Sequence, residues 1–157
     1  MKYYEDYEKG ETKQLGSFSL TEEEIVEFAE KYDPLWLHVD EERIEKESPF
    51  GGLIASGWHS LMSCHRLLVE GDEDDIAALG SPGVENVTWS LPVYPGDEIT
   101  VTRTVVDKRP SRKVPDRGLV TVEVVGENED GNVVLSYVSK MYFGRREDGA
   151  DAEEDDV

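Results

Sequence analysis

Asp33 and His38 stand five residues apart in the stretch Asp33-Pro34-Leu35-Trp36-Leu37-His38. A carboxylate and an imidazole at that spacing in a loop can reach one water molecule and share general acid and base work near neutral pH. A plainer account fits the same residues: Asp33 caps a broken helix and His38 is an ordinary loop histidine. The second candidate is backbone. The stretch PFGGLIASGWHSLMSCHRLL, Pro49 to Leu68, holds Gly51, Gly52 and Gly57 ahead of a run free of Pro and Gly. A free N–H at Gly57, near the start of a helix, can bind an oxyanion such as a thioester enolate, aided by the positive end of the helix dipole. Here too a plainer account exists, in which the glycines only permit a tight turn and close packing.

These groups need elements to position them. Leu53, Ile54, Trp58, Leu61, Met62, Leu67 and Leu68 put apolar side chains on most sides of a helix, which predicts a buried central helix over Leu53 to Leu68, roughly 24 Å long. Thr21 with Glu24 forms a capping box, and Ile25, Phe28, Ala29 and Tyr32 follow at helical spacing, so a helix precedes Asp33 and ends before Pro34. Residues 33–38 read as an irregular loop. Asp40 can cap a short helix from Glu41 to Glu47. A short strand is expected near Ser17 to Leu20, an acidic turn at Gly71 to Asp75 and one helical turn from Ile76 to Leu79. The pattern then changes to period two with β-branched residues, which predicts strands at about Val84 to Leu91, Glu98 to Arg109, Gly118 to Glu127 and Val133 to Phe143. No internal repeat is visible. Helices followed by antiparallel strands make an α+β domain, over residues 1–144, with the helix covering one face of the sheet. Residues 145–157 are almost all acidic or small and are expected to be a disordered tail.

Charge narrows the partners. The 157 residues carry 36 Asp and Glu against 16 Lys and Arg, a formal net charge of −20. Such a surface argues against nucleic acid or an anionic membrane as the main partner. The acid is spread along the chain, which suggests a salt-adapted, haloarchaeal type of protein whose self-repulsion is screened at high ionic strength. A lone cysteine, Cys64, fits a core position in a reducing compartment. The N-terminal MKYYEDYEKGE lacks the apolar stretch of a signal peptide, and no segment approaches a membrane span. A cytoplasmic protein is expected.

Together the motifs are specific. YDPLWLHVD, Tyr32 to Asp40, followed by FGGLIASGW, Phe50 to Trp58, resembles the MaoC-like hydratases and dehydratases, which include the (R)-specific enoyl-CoA hydratases. That family carries an Asp, a His five residues on, a second acid two further, then a Gly-rich segment ending at a Gly near a helix start. Asp33, His38, Asp40 and Gly57 match those positions. Leu91-Pro-Val-Tyr-Pro-Gly-Asp97 and Ser111-Arg-Lys-Val-Pro-Asp-Arg-Gly118 resemble further family segments. Where many members have Asn-Pro inside the Asp-to-His loop, this chain has Leu35 and Trp36, and Ser56 replaces a His before the helix-start Gly.

The resemblance implies the hot-dog fold, a long helix wrapped by an antiparallel sheet, in a homodimer or higher homo-oligomer. It implies reversible hydration of a trans-2-enoyl-CoA by Asp33 and His38, with the Gly57 N–H polarising the thioester carbonyl. No metal or redox cofactor is called for, coenzyme A being part of the substrate. Trp36, Asp40 and Ser56 are then candidates for substrate contact, with Trp36 lining or narrowing the acyl pocket. Lys108, Arg109, Arg112, Lys113 and Arg117 concentrate positive charge into ten positions; they read either as a dock for the phosphates of coenzyme A or as a basic loop paired with acidic neighbours at a subunit interface. The rival functions are a hot-dog thioesterase and a non-catalytic acyl-thioester binding subunit. No Asp or Glu lies between Gly51 and Val69 to serve the first, and the intact Asp33/His38 pair argues against the second.

Overall fold

Period-two runs in the second half of the chain fold into β2 (Gly83–Trp89), β3 (Ile99–Pro110), β4 (Arg117–Glu127) and β5 (Val133–Gly144). The computed structural model describes residues 1–71 and 75–146. On β3 the inward residues Ile99, Val101 and Val105 are buried, and on β4 so are Val120, Val122 and Val124, as a sheet with one covered face requires. A fifth strand, β1 (Thr12–Phe18), completes the sheet in the order β1-β3-β4-β5-β2, with every neighbouring pair antiparallel. The strand expected at Ser17 to Leu20 thus starts earlier. Its signal is weak because only Leu15 and Phe18 are apolar in seven residues, and the register slips at Gly16, whose φ of 131° suits glycine alone.

The helices precede the main sheet. Thr21 and Glu24 form the expected capping box at the start of α1 (Glu22–Tyr32). The expected irregular loop contains one helical turn, α2 (Trp36–Val39), followed by α3 (Glu41–Glu47). The long helix, α4 (Gly57–Glu70), lays Leu61 and Cys64 into the same core as Ile99, Val124 and Val134. A helix held in the hollow of one antiparallel sheet is the hot-dog arrangement implied by the sequence motifs.

Two expectations about α4 change. Leu53 and Ile54 lie ahead of it, because Ser56 adopts an extended conformation and its hydroxyl accepts the Trp58 N–H, which starts the helix at Gly57. Nor is the helix buried on most sides: Trp58 is 55% exposed and Met62 49%, with Val69 a further two turns along the same flank. The helical turn expected at Ile76 to Leu79 is instead extended, with single bridges from Ile76 to Lys2 and from Ala78 to Phe143. Of the acidic turn, residues 72–74 lie outside the described residues, as do residues 147–157 of the expected tail. Arg145 and Arg146, placed in that tail from the sequence, are held. The Arg145 N–H donates to Asp116 O, and Arg146 forms two hydrogen bonds to Asp6.

Candidate active site

Asp33 is placed by the end of α1. Its N–H donates to Ala29 O at 2.8 Å, and Pro34 prevents the helix from continuing. The capping role weighed from the sequence is therefore real, but it uses the backbone and leaves the carboxylate free to act elsewhere. That carboxylate turns toward the start of α4, where the Ser56 hydroxyl donates to Asp33 Oδ2 at 2.6 Å. Ser56 is fully buried and also accepts the Trp58 N–H at 3.2 Å. One hydroxyl thus caps α4 and holds Asp33.

His38 is positioned by α2, the turn that sequence patterning missed. The residue is 5% exposed, and Nδ1 lies 2.7 Å from Ile54 O. A carbonyl oxygen only accepts, so Nδ1 carries the proton and Nε2 of the neutral ring presents a lone pair. That nitrogen is 3.6 Å from Asp33 Oδ2. The gap is too long for a direct hydrogen bond and suits a single water donating to both groups.

Gly57 is the first residue of α4, where an N–H has no intrahelical acceptor. The neighbouring Trp58 N–H is taken by Ser56, and Gly57 lines a cavity with Asp33, His38 and Ser60. Glycine is required here by close approach. A Cβ on Gly57 would lie 2.5 Å from the Trp89 ring, whose Nε1 donates to Gly57 O at 2.8 Å. Apart from Asp33, His38, Ser60 and Ser90, the cavity of about 370 Å³ is walled by apolar and aromatic residues, among them Phe50, Ile54, Trp89 and Val93. The lining residue Phe50 is held from behind its carbonyl, which accepts the Tyr94 hydroxyl at 2.7 Å.

The remaining candidates lie elsewhere. Trp36 does not line the cavity; its ring stacks under the Arg43 guanidinium at 4.3 Å. Asp40 accepts the Arg43 N–H and caps α3, the plainer role open to it in the sequence. The basic cluster is at the far end of the sheet. Gly126 of β4 pairs with the cavity residue Leu135, whereas Arg117 pairs with Gly144, and nine residues of strand separate these ends by about 30 Å. Lys108 is committed to Tyr4 O and Tyr7 O, and Arg117 to Asp116, while Arg109, Arg112 and Lys113 are exposed. No phosphate dock for this chain's own cavity forms there. On α4, Ser60 lines the cavity, whereas the Ser63 hydroxyl donates to His59 O one turn back. His59 is a core-edge residue stacked on Phe28, with ring centroids 4.3 Å apart. Burial holds its pKa below 6.5, against an opposing pull from Glu24.

With this geometry in place, comparison with known proteins is informative. Residues 7–128 match the sequence pattern described as "MaoC like domain". YdeM of Bacillus subtilis, an uncharacterized protein, is 34% identical over 120 residues, 75% of this chain and 82% of that one. The mesaconyl-CoA hydratase of Haloarcula marismortui is 39% identical over 69 residues, which is 43% of this chain but only 19% of that enzyme. Among solved structures, the MaoC-like dehydratase from Rhodospirillum rubrum superposes with a TM-score of 0.83 at 35% identity, covering 93% of this chain and 99% of that one. The (R)-hydratase PhaJ1 of Pseudomonas aeruginosa shares the fold, with a TM-score of 0.74 at 20% identity and coverage of 92% and 86%. The chain belongs to the MaoC-like domain family and has its hot-dog fold.

Proposed function

We propose that the protein is a hydratase/dehydratase that adds water reversibly to the double bond of a trans-2-enoyl thioester, with coenzyme A as the carrier. The observation that carries this reading is the meeting, in one largely apolar cavity, of the Asp33 carboxylate, the His38 Nε2 3.6 Å from it, and Gly57 at the first position of α4. The names of similar proteins agree in kind, since a MaoC-like dehydratase and a mesaconyl-CoA hydratase are among them. The chain spans about a fifth of the latter's length, so what is shared is a segment.

In the forward direction a water donates one hydrogen bond to His38 Nε2 and the other to Asp33, which turns its lone pair toward C3 of the enoyl group. As the C3–O bond forms, one water proton passes to Nε2 and the C2=C3 electron pair shifts to give the enolate. The Gly57 N–H receives the charge that builds on the thioester oxygen, a contribution of about 2.7–4 kcal/mol for one such donor. Nε2 then returns its proton to C2 on the same face, so that one water is added and both catalytic groups regain their starting state. Asp33 stays ionised throughout and stabilises the transient imidazolium. This chemistry needs neither a metal nor a redox cofactor.

A thioesterase would need a base aimed at the carbonyl carbon, and α4 offers no carboxylate facing the cavity. The deciding assay supplies crotonyl-CoA and follows enoyl absorbance alongside free thiol. Loss of absorbance without thiol release supports hydration; thiol release without it would overturn the proposal.

The surface also suits self-association. Trp58, Met62 and Val69 form an exposed apolar flank of α4, and β2 beside them is an edge strand with Val84 and Trp89 exposed. A second copy of this chain is the proposed occupant. Arg109, Arg112 and Lys113 meet substrate phosphates only if a second copy brings its own loop to this cavity.

A further inference from the structure

One buried hydroxyl in the cavity wall is left without a partner. Ser60 is 2% exposed and lines the cavity from α4. The serines on either side of it are satisfied. The Ser56 hydroxyl donates to Asp33 and accepts the Trp58 N–H, and the Ser63 hydroxyl donates to His59 O one turn back. The same turn-back acceptor is closed to Ser60. It would be Ser56 O, which already takes the N–H of His59 at 3.0 Å and that of Ser60 itself at 3.2 Å, one for each lone pair. Ser60 Oγ thus forms no hydrogen bond with any described residue, and the little surface that the residue keeps includes this oxygen.

Helix geometry aims the group. Gly57 and Ser60 are three residues apart on α4, so they share a face, and both line the cavity. Cα–Cβ bonds tilt toward a helix N-terminus, so the Ser60 side chain leans back over the first turn, at the positive end of the helix dipole. The Asp33 carboxylate and His38 Nε2 beside it are acceptors. A hydroxyl donor in a largely apolar wall is satisfied by a ligand oxygen, and best by one that gains negative charge.

We propose that Ser60 is a further catalytic residue, whose hydroxyl donates to the carbonyl oxygen of the bound thioester beside the Gly57 N–H. The proposal rests on reading the cavity as an acyl-thioester site and adds a side-chain donor to it. Ser60 keeps its proton throughout: no bond to it forms or breaks, and its hydrogen bond strengthens as the C2=C3 electron pair moves and charge builds on the oxygen. The water proton still travels from the attacking water to His38 Nε2 and on to C2.

The test is infrared difference spectroscopy of butyryl-CoA, isotopically labelled at the thioester carbonyl carbon, bound to the full chain. This ligand has no double bond and is not turned over. Wild type should lower the carbonyl stretching frequency below that of the free ligand. Ser60→Ala should move the band back toward the free value, and Ser60→Thr, which keeps a hydroxyl, should hold it near wild type. With crotonyl-CoA, Ser60→Ala should lower kcat about 100-fold and leave KM within about 3-fold. An unshifted band in wild type would overturn the proposal even if the alanine variant does not fold. So would a folded Ser60→Ala with the wild-type band or the wild-type kcat. A folded Ser60→Ala that keeps the band but binds 3-hydroxybutyryl-CoA more weakly would place the hydroxyl on the C3 oxygen instead, and would also overturn it. Crotonyl-CoA turnover on the same samples separates the two readings. The predicted band shifts without turnover by wild type would sink the hydratase and support the Ser60 contact; turnover with a band indifferent to Ser60 would do the reverse. Failure to bind butyryl-CoA would overturn both.

Discussion

Replacing Ser56 by Ala removes one oxygen and two duties. The hydroxyl is fully buried, donates to Asp33 Oδ2 at 2.6 Å and accepts the Trp58 N–H that starts α4. Loss of an N-cap costs about 1 kcal/mol. Loss of a hydrogen bond to an ionised group costs about 1.5–3 kcal/mol. The Asp33 side chain is 29% exposed, so water replaces part of that bond and the lower end applies. The sum is about 2–3 kcal/mol, which for a domain of this size lowers Tm by about 5–10 °C. A double-mutant cycle with Asp33→Ala, read by urea unfolding, should return a coupling of about 1–2 kcal/mol between residues 33 and 56. Activity should fall by about 10- to 100-fold through kcat, because a carboxylate free to rotate no longer shares its water with His38. A Ser56→Ala protein with wild-type Tm, zero coupling and wild-type kcat would refute the claim that this hydroxyl aims Asp33.

Three further outcomes follow from particular residues. Cys64 is fully buried and its thiol is pushed up to about 12 by desolvation, so a disulfide reagent at pH 8 should label it only at the rate of unfolding; rapid labelling of native protein would contradict the packing of α4. His59, held neutral by burial, has its pKa lowered from 6.5. Below that pH the unfolded chain takes up a proton that the folded chain refuses, so stability should fall with pH from about 6.5 downward until the folded group also titrates. His59→Phe should flatten that portion of a Tm–pH curve, and an unaltered curve would rule the assignment out. Met62→Glu places a charge on the exposed flank of α4 and should reduce the mass seen by light scattering to that of one chain; an assembly unchanged by it would exclude this flank as the contact.

What the sequence made legible was local. The Asp33–His38 spacing, the capping box of α1, the Asp40 cap and the four period-two strands all follow from neighbours within a few residues, and the structure keeps them. The residues that escaped depend on long-range pairing. Trp89 lies in a period-two run that marks it as a strand residue, and nothing in its sequence surroundings shows that β2 pairs with β5 and so delivers the indole to Gly57, 32 positions earlier. Trp36 looked like a pocket wall because it sits between Asp33 and His38, but the turn of α2 that buries His38 points it toward Arg43. The basic loop drew attention by its charge, yet register places it at the opposite end of β4 from the cavity. Ser56 stood out as a departure from a common His and as a candidate for substrate contact; its hydrogen bond to Asp33 depends on the end of α1 meeting the start of α4.

The central claim is that His38 Nε2 carries a water proton to C2 while Asp33 holds that water. The direct measurement is hydration of crotonyl-CoA in D2O, with the 3-hydroxybutyryl product analysed by NMR, for wild type, His38→Gln and Asp33→Asn. The account predicts a product carrying one deuterium at C2 from wild type, and rates reduced by about 100- to 10,000-fold in each variant with the fold intact. A folded His38→Gln that hydrates at the wild-type rate would contradict the account.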